Sequence, residues 1–302
     1  MLDLLDPTFL ASLPRFVTPV LLAALGGALC ERAGVFNIAL EGFVLVGAFA
    51  AVAASFWAGS SALGLLGAAA AGVGMGLLFA AFAVRRPGDP IVVSLALNIL
   101  AVGLTAYLLR TLFGVAGAFS DPAIGGLPGL PQPFLAGVPV LGPLLDGQSP
   151  LFWAAVLLVP FLAWMFRAHA LGLRLRAAGE NPDGLRALGV DPSGPRVWAL
   201  VLCGALCGLA GAQLSLSNVT LFVEGMSAGR GWVAVVAVLV SRGRPWPLLA
   251  IVALFGAVDS LSFRVQGLGW PQQVTEAMPY VASLLAIVAV SAWRRRGQGA
   301  RA

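Results

Sequence analysis

Long apolar segments separated by short polar connections dominate the sequence. A helix rises 1.5 Å per residue, so about 20 apolar residues cross the roughly 30 Å hydrocarbon core of a bilayer. The pattern therefore predicts an all-α, polytopic transmembrane helix bundle with about nine spans, between eight and ten. The predicted spans are 15–30, 40–58, 61–84, 91–110, 151–168, 197–217, 227–241, 246–263 and 277–293.

The seventh predicted span, 227–241, is the shortest of the set and follows glycine-rich sequence. Its residues reach only about 22 Å as a helix. The stretch Gly225-Met226-Ser227-Ala228-Gly229-Arg230-Gly231 stands at its start. We expect this segment to be tilted, partly re-entrant or paired with outer-loop structure, and such a broken helix is suited to lining a cavity.

Composition supports a lipid environment for these segments. The chain is 59% hydrophobic and 10% charged, with a mean hydropathy of +0.94, whereas soluble domains carry about 25% charged residues. A soluble domain of this size would still expose roughly a quarter of its chain surface to water. So much apolar sequence therefore argues against a soluble domain.

The arginines predict the orientation, because basic residues flanking membrane helices concentrate on the cytoplasmic side. All 18 basic residues are arginines, and with the N-terminus outside, 14 of them fall on inner connections, leaving 18 − 14 = 4 outside. The C-terminus is then cytoplasmic. The inner residues are Arg32, Arg85, Arg86, Arg167, Arg174, Arg176, Arg186, Arg196, Arg242, Arg244, Arg294, Arg295, Arg296 and Arg301, and the outer ones are Arg15, Arg110, Arg230 and Arg264.

Two connections stand out within what we expect to be a single transmembrane domain, 1–302. The external loop 111–150 is rich in proline and glycine, so we expect an irregular surface there. The cytoplasmic loop 168–196 carries helix signals instead: Asn181 as cap, Pro182 at the first helical position and Gly189 as terminator. They predict a short helix that exposes Leu185 and Leu188 on one face.

The residue types present argue against an enzyme. The chain has no lysine, so a phosphate-binding loop of the Walker type cannot form. Its one histidine, His169, lies at a helix end, which disfavours a zinc site or a nucleophile with its histidine base inside the bilayer. We therefore expect no catalytic residues, no metal site and no cofactor in this chain.

A few polar residues on the spans are candidates for a solute path. Ser94, Asn98 and Thr105 recur on one helix face, where they could contact a polar solute or hydrogen-bond a neighbouring helix. Asp259 is an intramembrane carboxyl, either functional or structural. The full candidate set is Asn37, Glu41, Ser94, Asn98, Thr105 and Asp259. Neutral hydrogen-bonding groups suit an uncharged polar solute better than an ion.

Three stretches resemble one family of transporters. Residues 30–42, Cys-Glu-Arg-Ala-Gly-Val-Phe-Asn-Ile-Ala-Leu-Glu-Gly, are similar to the Glu-Arg-x-Gly-x-x-Asn-Ile-x-x-Glu-Gly signature of ABC importer permeases of the nucleoside and simple-sugar type. Residues 177–190 look like the family's cytoplasmic coupling loop, and 228–259 like its later region. Ala39 departs from the pattern, since glycine is common there. The Glu-Arg variant is closest to nucleoside importers.

The resemblance implies a permease that works with ABC ATPase subunits, a second homologous permease and an external substrate-binding lipoprotein in the plasma or inner membrane. ATP would then bind the partner subunit, and membrane lipid would surround the chain, with no nucleic acid involved. The residues expected to couple to the ATPase are Gly179, Glu180, Asn181, Pro182, Leu185, Leu188 and Gly189.

Other functions remain open at this point. The solute could be a simple sugar instead of a nucleoside. An autonomous ion-coupled carrier would use Asp259 and Glu41 as ion-linked groups, and a structural membrane subunit would have no path of its own.

Overall fold

A computed structural model describes residues 7–86, 88–132, 141–266 and 281. The described part is almost entirely helical, with one pair of very short strands. The helices are α1 (Pro7–Arg32), α2 (Leu40–Ala58), α3 (Ser61–Ala83), α4 (Pro90–Phe113), α5 (Leu141–Leu145), α6 (Pro150–Ala168), α7 (Ala170–Glu180), α8 (Pro182–Ala187), α9 (Ser193–Ala212), α10 (Arg230–Ser241) and α11 (Pro245–Gln266). A π-helical turn (Gln213–Asn218) extends α9, and the strands are β1 (Ala118–Phe119) and β2 (Phe222–Val223).

Seven helices are long and apolar enough to cross a membrane. They are Phe9–Arg32, Leu40–Ala58, Ser61–Ala83, Pro90–Phe113, Pro150–Ala168, Ser193–Asn218 and Pro245–Ser262, and Arg230–Ser241 is a shorter apolar helix. Eight of the nine predicted segments thus coincide with helices of the described chain. The ninth, 277–293, lies outside the described residues apart from position 281.

Helices α1, α2, α3 and α9 form the centre of the bundle. Small residues permit their close contact: a Cβ on Gly72 would lie 2.0 Å from the Gly204 carbonyl oxygen, and one on Gly47 would lie 2.4 Å from the Gly208 Cα. Such backbone-to-backbone packing is typical of membrane helices. Most of α4, by contrast, is exposed, as expected for a helix that faces lipid.

The short helix α10 begins inside the bundle. Strand β2 pairs with β1, and the Phe222 ring packs edge-to-face on Phe49 of α2, with ring centroids 5.3 Å apart. From there the chain follows α2 back to Glu41, about 12 Å away along the helix. Gly229, with φ of 82°, turns the backbone into α10. This course of the chain fits the partly re-entrant alternative. The prediction that Arg230 lies at the outer membrane face is wrong, because Arg230 lies inside the bundle.

The α6–α9 connection contains two helices where the sequence predicted one. Helix α7 was not expected, whereas α8 has the predicted cap: the Asn181 side chain accepts a hydrogen bond from the Gly184 amide at 2.9 Å. The prediction that both leucines are exposed is wrong for Leu185. That side chain is 6% exposed because α8 packs on α7, while Leu188 is 81% exposed.

The bundle has two ends that differ in charge. We refer to the end that carries Arg32, Arg85, Arg167 and Arg244 as the arginine-rich end, since α1, α3 and α6 finish there and α11 begins there. The other end carries the β1–β2 pair and α5. Between Phe113 and Pro150, β1 and α5 are the only strand and helix in the part of the loop that the structure describes.

Candidate functional site

Residues 33–39 join α1 to α2 by turning back into the bundle. The Val35 amide donates to the Cys30 carbonyl at 2.9 Å, so the chain reverses direction at once. The buried Asn37 fixes the start of α2: its Oδ1 accepts from the Ala39 amide at 2.8 Å, and its Nδ2 points at the Cys203 sulfur at 3.6 Å. The side-chain amide of Asn37 thus helps to fix the conformation of this segment.

Two polar residues of α4 bind the same segment. The Ser94 hydroxyl accepts from the Ile38 amide at 3.2 Å. Asn98 donates from Nδ2 to the Ile38 carbonyl at 3.0 Å and accepts from the Gly42 amide at 2.8 Å. These contacts match the helix-to-helix hydrogen bonding that the sequence left open as the alternative to solute contact.

Glu41 connects α2 to the start of α10. Its Oε1 accepts from the Gly229 amide at 2.8 Å and its Oε2 from the Gly231 amide at 2.7 Å. A carboxylate is stabilised at this position, because the free N–H groups and the dipole of a helix N-terminus attract negative charge. A Cβ on Gly231 would lie 2.4 Å from the Glu41 Cα, so glycine is required for this approach.

Arg230 and Asp259 lie beside this junction. The Arg230 guanidinium donates to the Ser227 carbonyl at 3.4 Å and attracts Asp259 electrostatically. Asp259, half-buried on α11, therefore faces a cation within the bundle. Charge compensation of this kind reduces the cost of an ionisable side chain in the membrane.

Only part of the predicted set comes together. Asn37, Glu41, Ser94 and Asn98 form one hydrogen-bonded network around residues 37–42. Thr105 does not join the network, since its hydroxyl donates to the Ala101 carbonyl of its own helix at 2.8 Å. Asp259 lies apart, next to Arg230.

Sequence reasoning missed the roles of Gly229, Arg230 and Gly231 in this network. The available signal was the glycine-rich stretch itself, in which two glycines flank one arginine. It suggested a broken helix, but it did not identify the carboxylate that receives the amides.

The junction is closed in this conformation. A cavity of about 10 Å³ between α1, α10 and residues 35–40 reaches Asn37, and such a volume is enough for about one water molecule. Opening a passage at this point would therefore require α10 to move relative to α1 and α2.

The α7–α8 region contacts the same segment from the arginine-rich end. A Cβ on Gly34 would lie 2.8 Å from the Gly179 Cα. Arg196 joins the two backbones, because it donates to the Ala178 carbonyl at 3.0 Å and to the Ala33 carbonyl at 3.4 Å. Residues 33–39 thus lie directly between the predicted coupling loop and the junction with α10.

Asp191 fixes the backbone conformation at the start of α9. Hydrogen bonds from the Ser193 hydroxyl and then from the Ser193 amide lower the pKa of the Asp191 carboxyl below its usual range. The charged form therefore stabilises the first turn of α9, where Arg196 is located.

Comparisons with known proteins place the chain in a family of transport proteins. Residues 9–290 match the family described as "Branched-chain amino acid transport system / permease component". The chain is 33% identical to "Putative glucose ABC transporter permease protein TsgC13" of Haloferax volcanii, with coverage of 83% of this chain and 75% of that protein.

Two further relatives are nucleoside permeases by name. The "Guanosine ABC transporter permease protein NupQ" of Bacillus subtilis is 30% identical over 82% of this chain and 79% of its own length. The "Nucleoside ABC transporter permease protein NupC" of Lactococcus lactis is 28% identical over 92% of this chain and 90% of its own length. With a family match that spans nearly all the apolar helices, the chain belongs to this family of permease components of ABC transporters and is a multi-pass membrane protein.

Proposed function

We propose that this chain forms the translocation path of an ATP-driven importer for nucleosides, with the junction between Glu41 and α10 as its moving gate. The observation that carries the proposal is the pair of hydrogen bonds from the Gly229 and Gly231 amides to the Glu41 carboxylate. They tie the start of a broken helix to α2 inside the bundle, where alternating access requires a movable element.

The contacts along the arginine-rich end supply a route for the driving force. An ATPase that displaces α8 would move α7, and through the Gly34–Gly179 contact and Arg196 it would move residues 33–39. The same residues lead into Glu41 and hence into α10. This series of packed backbones is a physical connection between a docking site and a gate.

The polar groups at the junction favour an uncharged solute. Asn37, Ser94 and Asn98 present amide and hydroxyl groups, which suit the hydroxyl groups of a ribose and the polar edge of a base. The names of NupQ and NupC support a nucleoside, and that of TsgC13 supports glucose as the second candidate.

The geometry gives less support to an ion-coupled carrier. Both oxygens of Glu41 already accept hydrogen bonds from backbone amides, so this side chain ties α2 to α10 and leaves less room for ion coupling. Asp259 has Arg230 as an electrostatic partner, which fits a structural role for this side chain. Energy would instead come from separate ATPase subunits.

The proposed assembly has further partners. Leu188, highly exposed directly after α8, is the apolar side chain available to an ATPase groove. The residues that we assign to coupling are therefore Gly179, Glu180, Asn181, Pro182, Leu188 and Gly189, with Leu185 as internal support. The arginine-rich end would face the cytoplasm, and the end with β1 and β2 would receive an external binding protein, beside a second permease.

Reconstitution tests the function and its rivals together. The chain, its ATPase, its sister permease and its binding protein would be placed in proteoliposomes with ATP on the ATPase side. We expect ATP-dependent uptake of guanosine or adenosine and little uptake of glucose. Glucose uptake alone would indicate a sugar permease, and uptake driven by an ion gradient without ATP would contradict the proposal.

A further inference from the structure

A basic pocket opens at the arginine-rich end, away from the junction with α10. Its volume is about 440 Å³. The end of α1, the end of α6, helix α7 and the start of α11 surround it. Its lining includes Arg32, Arg167, Arg176, Arg244, Phe166 and Trp246. Four arginines, from α1, α6, α7 and the residue before α11, therefore line one cavity.

These arginines are only partly neutralised within the protein. Arg176 lies 3.6 Å from a carboxylate oxygen of Glu180, and Arg32 donates to the Gly243 carbonyl at 3.1 Å. Glu31 is the other carboxylate that attracts Arg32. Within the described residues, no carboxylate lies within ion-pair distance of Arg167 or Arg244, and both are exposed.

One buried donor in this group makes no hydrogen bond in the described part of the chain. It is the Nε of Arg176, which lies 3.6 Å from Glu180 Oε1, within ion-pair distance but too far for a hydrogen bond, while its Nη1 donates to the Phe166 carbonyl at 3.3 Å. Arg32 and Arg176 also repel each other. Positively charged guanidinium groups surround one cavity, and some of their N–H groups make no hydrogen bond. This arrangement indicates that an anion binds there.

The position of the pocket selects the kind of anion. It is located where three membrane helices begin or end, which is the depth of the lipid headgroups. The indole of Trp246 is half-exposed at its rim, as is typical of side chains in the interfacial layer. A headgroup phosphate would meet the guanidinium groups there, and its acyl chains would extend along the exposed faces of α6 and α11.

We propose that this pocket binds the phosphate headgroup of an anionic phospholipid. Guanidinium groups bind phosphate oxygens through paired hydrogen bonds, and basic pockets between membrane helices recognise anionic headgroups. The proposal is independent of the transported solute. It assigns the pocket a role in how the lipid composition sets the stability of the permease.

The test uses the assembled permease complex in detergent, supplied with either dioleoyl phosphatidylglycerol or dioleoyl phosphatidylcholine. Native mass spectrometry counts retained lipid, and thermal unfolding measures stabilisation. We expect the wild type to retain phosphatidylglycerol selectively. The Arg167→Gln/Arg244→Gln double variant should retain it about 30-fold less, because two interfacial arginines are lost. Both side chains are exposed, so the variant should fold.

A second double variant controls for net charge. Arg85→Gln/Arg86→Gln removes two exposed arginines from the same end, at the connection between α3 and α4, and should leave retention unchanged. Equal losses in both variants, or equal retention of the two lipids by the wild type, would overturn the proposal. Stabilisation by inorganic phosphate alone that matches the lipid would assign the pocket to free phosphate. If the Arg167→Gln/Arg244→Gln variant retained lipid as the wild type does but no longer copurified with the ATPase, the pocket would be a protein docking site instead.

Discussion

The backbones of Gly34 and Gly179 touch, although 144 residues separate them along the chain. A Cβ placed on Gly34 would lie 2.8 Å from the Gly179 Cα, and one placed on Gly179 would lie 2.5 Å from the Arg32 carbonyl oxygen. Both positions face backbone atoms that cannot rotate away. The contact therefore depends on glycine at both positions, and it is the point at which α7 meets the segment leading to α2.

The first prediction concerns this contact. Gly179→Ala should push α7 away from residues 33–34 at a cost of about 1 to 3 kcal/mol, typical of overpacking. We expect substrate uptake by the reconstituted complex to fall at least tenfold while ATP hydrolysis continues, because the ATPase would no longer move the gate. Uptake and ATPase rate are measured in the same proteoliposomes.

Gly194→Ala is the matched control. Gly194 lies in the first turn of α9, and a Cβ there meets no atom within 4 Å. Substrate uptake by the Gly194→Ala variant should remain normal. If Gly179→Ala also transports normally, the Gly34–Gly179 contact does not carry the coupling.

The second prediction concerns Glu41. Glu41→Gln keeps the shape of the side chain but replaces one acceptor oxygen with an amide that cannot accept the Gly229 or Gly231 hydrogen. Hydrogen bonds to charged groups contribute about 1.5 to 3 kcal/mol, so we expect a loss of about 2 kcal/mol in stability. Thermal unfolding of the purified permease measures it, and uptake should fall because α10 is released.

Glu224→Gln provides the comparison for Glu41. Glu224 accepts one exposed backbone amide, from Gly117 at 3.1 Å, so its replacement should have a smaller effect on unfolding. Should the two variants be equally stable, the Glu41 hydrogen bonds would contribute little, and the gate would have to be sought elsewhere.

The seven long apolar helices of the described chain could be predicted from the sequence because each depends on local hydropathy alone. Helix α2 begins and ends at the predicted residues, 40 and 58. Helix α7 was missed because its arginines and glycines interrupt the apolar pattern. The burial of Leu185 depends on α7, the helix that was missed, and the interior position of Arg230 depends on contacts with distant segments. The Glu41–Gly229 hydrogen bond joins residues 188 positions apart, and no local pattern encodes such a pairing.

The third prediction separates hydrogen bonding from solute contact on α4. Asn98→Leu would leave the Ile38 carbonyl and the Gly42 amide without partners, so stability should drop by about 2 kcal/mol or more. Thr105→Val removes a hydroxyl that bonds only its own helix, and it should cost less than about 1 kcal/mol. Unfolding and uptake are measured for both. A change of solute preference in Thr105→Val, without destabilisation, would instead put Thr105 on the path.

The final prediction uses the two leucines of the α8 region, which differ in burial. Leu188 is highly exposed, so Leu188→Asp should leave the fold intact and abolish ATPase association, as measured by copurification. Leu185 is buried, so Leu185→Asp should destabilise the permease by about 3 kcal/mol or more, because it buries an unpaired charge. Leu188→Ser serves as a milder variant with no added charge, and it should weaken association without abolishing it. ATPase association that survives Leu188→Asp would mean that α8 is not the docking element. The series therefore distinguishes a surface that binds a partner from one that only supports the fold.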